Sequence, residues 1–411
     1  MSVEKYDEHF DPLLPPDDVF DTIRHQLATC PVVHSDVDGG FWVVNRHADL
    51  VRILQDQATF ASGNRGVRVP HDPPLVERPP MPPIDSNPPI HRKVREAMNP
   101  FLSPQALQQY EPMFRQIIGD LIEKFADDGH CDIAHQLGMI FPADLAGRVL
   151  FGIEDEAEIE KMRHWVRRLT YDMFREDERI LAGLQEDWGQ WCQDLIDQRR
   201  SEPPRGDLID ALLTCRVEEE GRLLTDPEVV GAIQISTFGG FSTTADATAN
   251  IVIRLIEDPA LEALLREHPE LIAAANEEIL RLDPPVSGRP RRCTHDTEIG
   301  GRIIAKDDRV VVNYAAANRD PDEWERPEDF DLNRKRNKVM TFSAGPHRCI
   351  GSNMARMSLR IMVEELLARI TDIQFADEGH EKRVSFSTSN WRAVDELKVT
   401  FKTLQPAQAL V

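Results

Sequence analysis

The ten residues Phe342-Ser343-Ala344-Gly345-Pro346-His347-Arg348-Cys349-Ile350-Gly351 set a cysteine between glycines, immediately before a long amphipathic run. A helix starting there puts the Cys349 sulfur at the positive end of the helix dipole, close to backbone N–H groups without intrahelical partners. Both effects favour thiolate over thiol, and the thiolate is the form that binds a metal or attacks an electrophile. A lone cysteine is more commonly a small buried apolar side chain, so the surrounding frame has to decide. Three further groupings carry chemistry by residue type. Gly239-Gly240-Phe241-Ser242-Thr243-Thr244 places small and hydroxyl-bearing residues inside an apolar helix, with Asp246 four positions beyond Ser242 on the same face. Glu278 and Arg281 are an i, i+3 pair, and His91 and Arg95 an i, i+4 pair. Taken singly, such pairs are usually solvated or surface ion pairs worth a few tenths of a kcal/mol.

The chain lacks HExxH, GxSxG, a Walker lysine loop and an EF-hand loop. The acidic stretch 320–331 has the wrong ligand spacing for calcium. His130 and His135, five apart, fall on different faces of a helix and read as structural.

Helices must position these groups. The clearest begins at Thr225-Asp226-Pro227-Glu228, a capping box with Thr225 as cap, Glu228 at its third position and proline in the first turn. It is expected to run to Asp258, where Pro259 stops it, a length of roughly 50 Å. Its middle, Val229 to Thr244, is apolar or small nearly all round and should thread the core. Glycine there costs about 1 kcal/mol against alanine, so Gly239-Gly240 points to a need for space. Further helices are predicted from about His47 to Leu54, from Pro269 to Leu282 and from Gly351 to Ile370. Strands are expected at Gly40–Val44, in a hairpin at 298–304, at Val310–Val312, and at 384–387 and 396–402. A proline-dense run from Pro70 to Pro89 forbids helix. Many helices with a few short hairpins make a mostly-α, α+β protein. The absence of βαβ alternation and of GxGxxG argues against a dinucleotide fold.

Composition narrows the class. With 411 residues, 41% hydrophobic and 29% charged, the chain is neither disordered nor membrane-embedded. Its 48 basic against 71 acidic residues give a net charge of −23, which repels nucleic acid. Six cysteines without a CxxC pair point to a reducing compartment, and the polar, acidic N-terminus to a cytoplasmic protein with no membrane association.

The frame around Cys349, with Phe at −7, Gly at −4, His at −2 and Gly at +2, resembles the haem-ligand signature of the cytochrome P-450 (haem-thiolate monooxygenase) family, soluble bacterial type. Other segments match in order along nearly the whole chain. Glu278-Ile279-Leu280-Arg281 is similar to the family's ExxR helix, and Asn318-Arg319-Asp320-Pro321 with Pro327-Glu328-Asp329-Phe330 to its meander. The resemblance implies one P-450 domain over 1–411, with a β-rich N-terminal part and a helix-rich part carrying the cofactor. It implies haem b with Cys349 as metal ligand, Phe342 and Gly351 flanking it, and His91, Arg95, Arg291 and His347 at the propionates. Bound flavin or nicotinamide is not expected, so electrons must come from a separate ferredoxin and ferredoxin reductase. Arg334, Lys335, Arg336, Lys338, Arg348, Arg356 and Arg360 form a basic surround suited to an acidic partner.

By the same resemblance, Gly239 and Gly240 make room for O2 in the long helix and Thr243 is the alcohol that admits protons. The family's acid is replaced by Ser242, which can pass a proton but not set a pKa near neutrality. Asp246 is expected to feed protons through Ser242 and water to Thr243. Ile235, Phe238, Gly239, Val286 and Ser287 line the substrate pocket by resemblance, with a lid from 65–90 and Trp165–Phe174. Their apolar character points to a small or medium hydrophobic substrate, terpenoid or aromatic; Arg65 or Arg68 would instead greet a carboxylate. The expected activity is therefore haem-thiolate hydroxylation with O2. Two alternatives follow from the residues: a haem-thiolate protein using peroxide or not oxidising at all, motivated by Ser242, and a thiol hydrolase using Cys349 and His347.

Overall fold

A computed structural model of the chain describes residues 16–63, 69, 75–172, 176–334, 338–376, 383–386 and 390–404. It is a mostly-α, α+β protein whose chain divides into two compact units. Residues 1–71, 250–349 and 381–395 make the first, and 72–249, 350–380 and 396–411 the second.

The first unit is organised on a five-stranded sheet. Its order is Val32–Ser35, Phe41–Val44, Arg309–Asn313, Gly288–Cys293 and Phe60–Ala61. The Phe41–Val44 and Arg309–Asn313 strands pair in parallel and the other neighbours antiparallel. The β-rich part expected at the N-terminus thus takes its central strand from residues far along the chain. Val310, Val311 and Val312 are buried on both faces, as a central strand requires. Alternation splits them: Val310 and Val312 join Val32, Trp42 and Val44, on which Leu50, Ile53 and Leu54 of the helix His47–Gln55 pack. Val311 joins Val33, Phe41 and Val43 on the other face.

The ExxR helix of this unit is Ile272–Leu282, preceded by a 3-10 turn at Pro269–Leu271 rather than by α-helix from Pro269. Glu278 and Arg281 are a buried cluster, not a surface pair. Arg281 donates to both Glu278 oxygens at 2.9 and 2.8 Å, and to the carbonyls of Asn318 (2.7 Å), Pro327 (2.6 Å) and Asp329 (3.0 Å). Glu278 also accepts from Arg334 Nε at 2.9 Å and the Asp331 N–H at 3.1 Å. One helix turn thereby anchors the whole loop that leads to Cys349.

The second unit is helical, with Glu111–Ala126, Glu156–Tyr171, Glu178–Ser201 and Ser352–Arg369 as its larger helices. A three-stranded sheet, Ile370–Phe375, Lys398–Thr403 and His130–Asp132, completes it. His130 therefore lies on a strand, not on a helix face. His135 follows in a π-turn, Ala134–Gly138, with Nδ1 2.7 Å from Asp132 Oδ2.

The long helix spans Asp226–Glu257, 32 residues, and the division between the units falls within it at Asn250. Its cap is half of the expected box. Glu228 accepts the Thr225 N–H at 2.7 Å, but the Thr225 hydroxyl also donates to Glu228, at 3.0 Å, instead of capping the helix. Arg222, 2.6 Å from the same carboxylate, supplies the balancing charge. A Cβ on Gly231 would sit 1.7 Å from the Pro80 carbonyl oxygen, so the proline-rich run lies directly on this helix. No helix among the described residues is long and apolar enough to cross a membrane.

Candidate haem and oxygen-activation site

In the first unit, the segment before Cys349 is a series of tight turns. Ser343 and Gly345 have positive φ, 59° and 67°. A Cβ on Gly345 would come within 2.2 Å of the Leu54 carbonyl, so only glycine lets this turn seat against the end of helix His47–Gln55. The Cys349 N–H donates to the Phe342 carbonyl at 2.8 Å, and Tyr314 Oη to Ser343 Oγ at 3.0 Å. Phe342 is half-buried and closes this turn through its backbone. His347 Nε2 lies 3.0 Å from Ser62 Oγ.

These contacts brace the loop that ends at Cys349. Of the six cysteines it is the one that is exposed. Burial pushes the Cys131 thiol up to about 12 and also raises those of Cys192, Cys215 and Cys293. Those four are held as thiols at neutral pH and are poor metal ligands. The helix Ser352–Arg369 begins three residues after Cys349, and its cap residue Gly351 offers no side chain to the first-turn N–H groups.

Arg291, on the strand Gly288–Cys293, is buried with no ion pair to a carboxylate among the described residues. Its Nη1 donates to the adjacent Pro290 carbonyl at 2.9 Å, and burial lowers its pKa below the usual arginine value, opposed only by the Tyr314 phenol. A buried guanidinium of this kind asks for an anion. In the same unit Val286 is half-buried, while Ser287 is buried with its carbonyl accepting the Tyr314 N–H at 2.7 Å.

In the second unit, the long helix carries an open stripe in an otherwise buried element. Gly239 and Gly240 are exposed, Ile235, Phe238 and Thr243 partly so, while Phe241, Ser242, Thr244 and Asp246 are buried. A Cβ on either glycine would meet nothing within 4 Å. Thr243 Oγ1 donates to the Gly239 carbonyl at 2.7 Å, and Ser242 Oγ to the Phe238 carbonyl at 3.4 Å. Asp246 stands one turn beyond both hydroxyls, at i+3 from Thr243 and i+4 from Ser242, where the stripe closes over. Its Oδ1 accepts a hydrogen bond of 3.0 Å from Tyr171 Oη. His91 is buried and Arg95 partly exposed on the helix Ile90–Met98.

Several expectations change. Arg334 is not part of a basic surface, because its guanidinium turns in to Glu278 with only 9% of its side chain exposed. Arg360 is paired with Glu111 and Glu364, and Lys338 with Glu323. Arg348 remains exposed and Arg356 partly so. Lys335, Arg336, Arg65, Arg68 and Phe174 lie outside the described residues. Tyr171 and Gly231 were not singled out from the sequence, since no local spacing ties residue 171 to 246 or 231 to 80.

The first unit thus holds an exposed thiol on a braced turn and a buried guanidinium with no carboxylate partner among the described residues, groups whose chemistry fits an anionic, thiolate-ligated haem, and the second unit holds a helix opened by two glycines. Residues 43–371 match the family model for cytochrome P450. The chain is 29% identical to linalool 8-monooxygenase of Pseudomonas putida over 90% of its own length and 93% of that protein's. It is 33% identical to cytochrome P450(BM-1) of Priestia megaterium over 74% of each chain. The structure of Mycobacterium marinum cytochrome P450 CYP268A2 in complex with pseudoionone superposes with a TM-score of 0.86 at 27% identity, covering 98% of this chain and 100% of that one. The chain belongs to the cytochrome P450 family, and it is a monooxygenase whose family implies a haem cofactor, a hydrophobic substrate and O2.

Proposed function

We propose that this monooxygenase inserts one oxygen atom from O2 into a C–H bond of a small or medium hydrophobic substrate, and that the substrate is a terpenoid. The observation that carries the reading is the open stripe of Ile235, Phe238, Gly239, Gly240 and Thr243 in a helix buried on either side of it. It offers apolar contact at its N-terminal end and a hydroxyl at the other. Linalool and pseudoionone, named for the two relatives above, are both acyclic terpenoids, which supports that class over an aromatic one.

Cys349 is the ligand of haem b, and His91, Arg95, Arg291 and His347 are the groups for its propionates, with Phe342 and Gly351 holding the cysteine turn. Haem ligated by thiolate supplies the O–O scission. The residues of the chain supply position and protons. Gly239 and Gly240 leave room for O2, Val286 and Ser287 join Ile235 and Phe238 in contacting substrate, and Thr243 Oγ1 presents the last proton. Asp246 replaces the acid missing at Ser242. Side chains on a helix lean toward its N-terminus, so Asp246 leans back toward Ser242 and Thr243. Its carboxylate takes up a proton from solvent and relays it through Ser242 and a water to Thr243. Electrons come from a ferredoxin and its reductase, in a cytoplasmic setting.

The test begins with the dithionite-reduced, carbon monoxide-treated protein, whose Soret band should be shifted far to the red if Cys349 ligates iron. Titration with linalool and with pseudoionone should then move the spin state, and linalool with NADH, ferredoxin and reductase should give an oxygenated product. A histidine-type spectrum would refute the ligand assignment and restore the thiol-hydrolase alternative. Product formed only with added peroxide would refute the proton path.

A further inference from the structure

Asp246 is 1% exposed and Tyr171 2% exposed, and a hydrogen bond of 3.0 Å joins them. Burying a carboxylate is costly unless donors satisfy it, and a buried phenol equally needs a partner. Tyr171 is the last residue of the helix Glu156–Tyr171, directly ahead of the connection to Glu178–Ser201. Ser242 and Thr243 precede Asp246 by about one turn of the same helix, at i−4 and i−3. The π-turn Ala134–Gly138 braces the adjoining backbone, since a Cβ on Gly138 would lie 3.3 Å from the Ala245 carbonyl.

We propose that Tyr171 is a positioning residue for oxygen activation: its phenol fixes the Asp246 carboxylate in the rotamer that faces the two hydroxyls, so that the end of helix Glu156–Tyr171 sets the aim of the proton donor. A carboxylate held by Oδ1 has one torsional well in place of several. Its remaining oxygen then has a defined direction, and proton delivery becomes sensitive to any movement of residue 171. The inference rests on the reading of Asp246 as proton donor.

The test compares Tyr171→Phe, Asp246→Asn and the double variant as haem-loaded proteins, with linalool as the probe substrate and a ferredoxin–reductase pair. The readouts are the fraction of NADH recovered as oxygenated linalool, its solvent deuterium isotope effect, and the infrared carboxylate band obtained by subtracting Asp246→Asn from wild type. Tyr171→Phe should lower the coupled fraction about threefold to tenfold, the range expected for one hydrogen bond of ordinary strength. It should raise the isotope effect and shift the carboxylate band, and the double variant should be no worse than Asp246→Asn. Replacing Tyr171 by 3-fluorotyrosine keeps the fold, acidifies the phenol and should move the band the opposite way. If Tyr171→Phe couples like wild type while Asp246→Asn does not, the role of Tyr171 is overturned and that of Asp246 stands. Losses that multiply in the double variant overturn it too, because the two residues then act independently. A fully coupled Asp246→Asn overturns the donor itself.

Discussion

Replacing Arg281 by methionine tests the claim that one buried guanidinium holds the cysteine loop in place. The arginine is fully buried, donates twice to Glu278 and once each to the carbonyls of Asn318, Pro327 and Asp329, and stacks 5.4 Å over Trp324. Methionine recovers part of the volume and none of the donors. Breaking a buried ion pair costs about 3–5 kcal/mol, and each stranded carbonyl roughly 1–3 kcal/mol more if water cannot reach it. Two effects reduce the sum. Glu278 keeps Arg334 and the Asp331 N–H, so its charge is not abandoned, and a loop released from its anchor can rehydrate its carbonyls. The expected loss is therefore about 4 kcal/mol, a large share of the 5–15 kcal/mol typical of a whole protein. Arg326→Ala is the control: its ion pair with Asp329 joins side chains 66% and 52% exposed, and such pairs are worth about 0–1 kcal/mol. Urea unfolding of matched haem-loaded samples by far-ultraviolet circular dichroism gives the difference, and Soret absorbance per protein gives haem retention. A loss below about 1 kcal/mol for Arg281→Met, or one no larger than for Arg326→Ala, would refute the anchoring argument.

Three further outcomes are expected. Gly240→Ala should raise stability by about 1 kcal/mol, because its Cβ meets nothing, yet weaken linalool binding by narrowing the stripe; Gly231→Ala, aimed at the Pro80 carbonyl, should destabilise by about 1–3 kcal/mol. Arg291→Met should leave the haem-free protein as stable or more so, since it removes a buried charge with no carboxylate partner among the described residues, while haem should dissociate about tenfold faster if its carboxylate is the proposed partner. The third concerns pH. The hydrogen bond to Asp132 raises the pKa of His135 above 6.5; Asp132, although burial raises it, is brought below 3.8 by His135 and the Leu397 N–H. The histidine contribution is complete below 6.5 and is lost as pH rises through the raised value, and the aspartate contribution is lost as pH falls through its lowered one. His135→Gln should therefore cost more stability at about pH 5 than at about pH 9 in matched urea titrations; equal costs would exclude the pairing.

Local spacing carried most of what the sequence determined: the frame around Cys349, the i, i+3 and i, i+4 pairs, the long helix with its interrupting glycines, and the order of helices and hairpins. These depend on residues within about one helix turn or one strand pair of each other, where backbone geometry alone decides what can meet. The functions of charges were not legible in that way. Arg334 reads as one of a basic run and is in fact spent on Glu278, a residue 56 positions earlier. Glu278 and Arg281 read as a surface pair out of context and are completely enclosed. Tyr171 carries no signal at all until its helix end is brought to Asp246, 75 residues away. Nor does the run of prolines disclose that Gly231 must be glycine because Pro80 rests on it. A buried charge or phenol takes whichever partner chain closure delivers, and closure is set by the packing of whole apolar faces. Composition and spacing therefore determine which residues can do the chemistry, and tertiary structure decides which partner each of them meets.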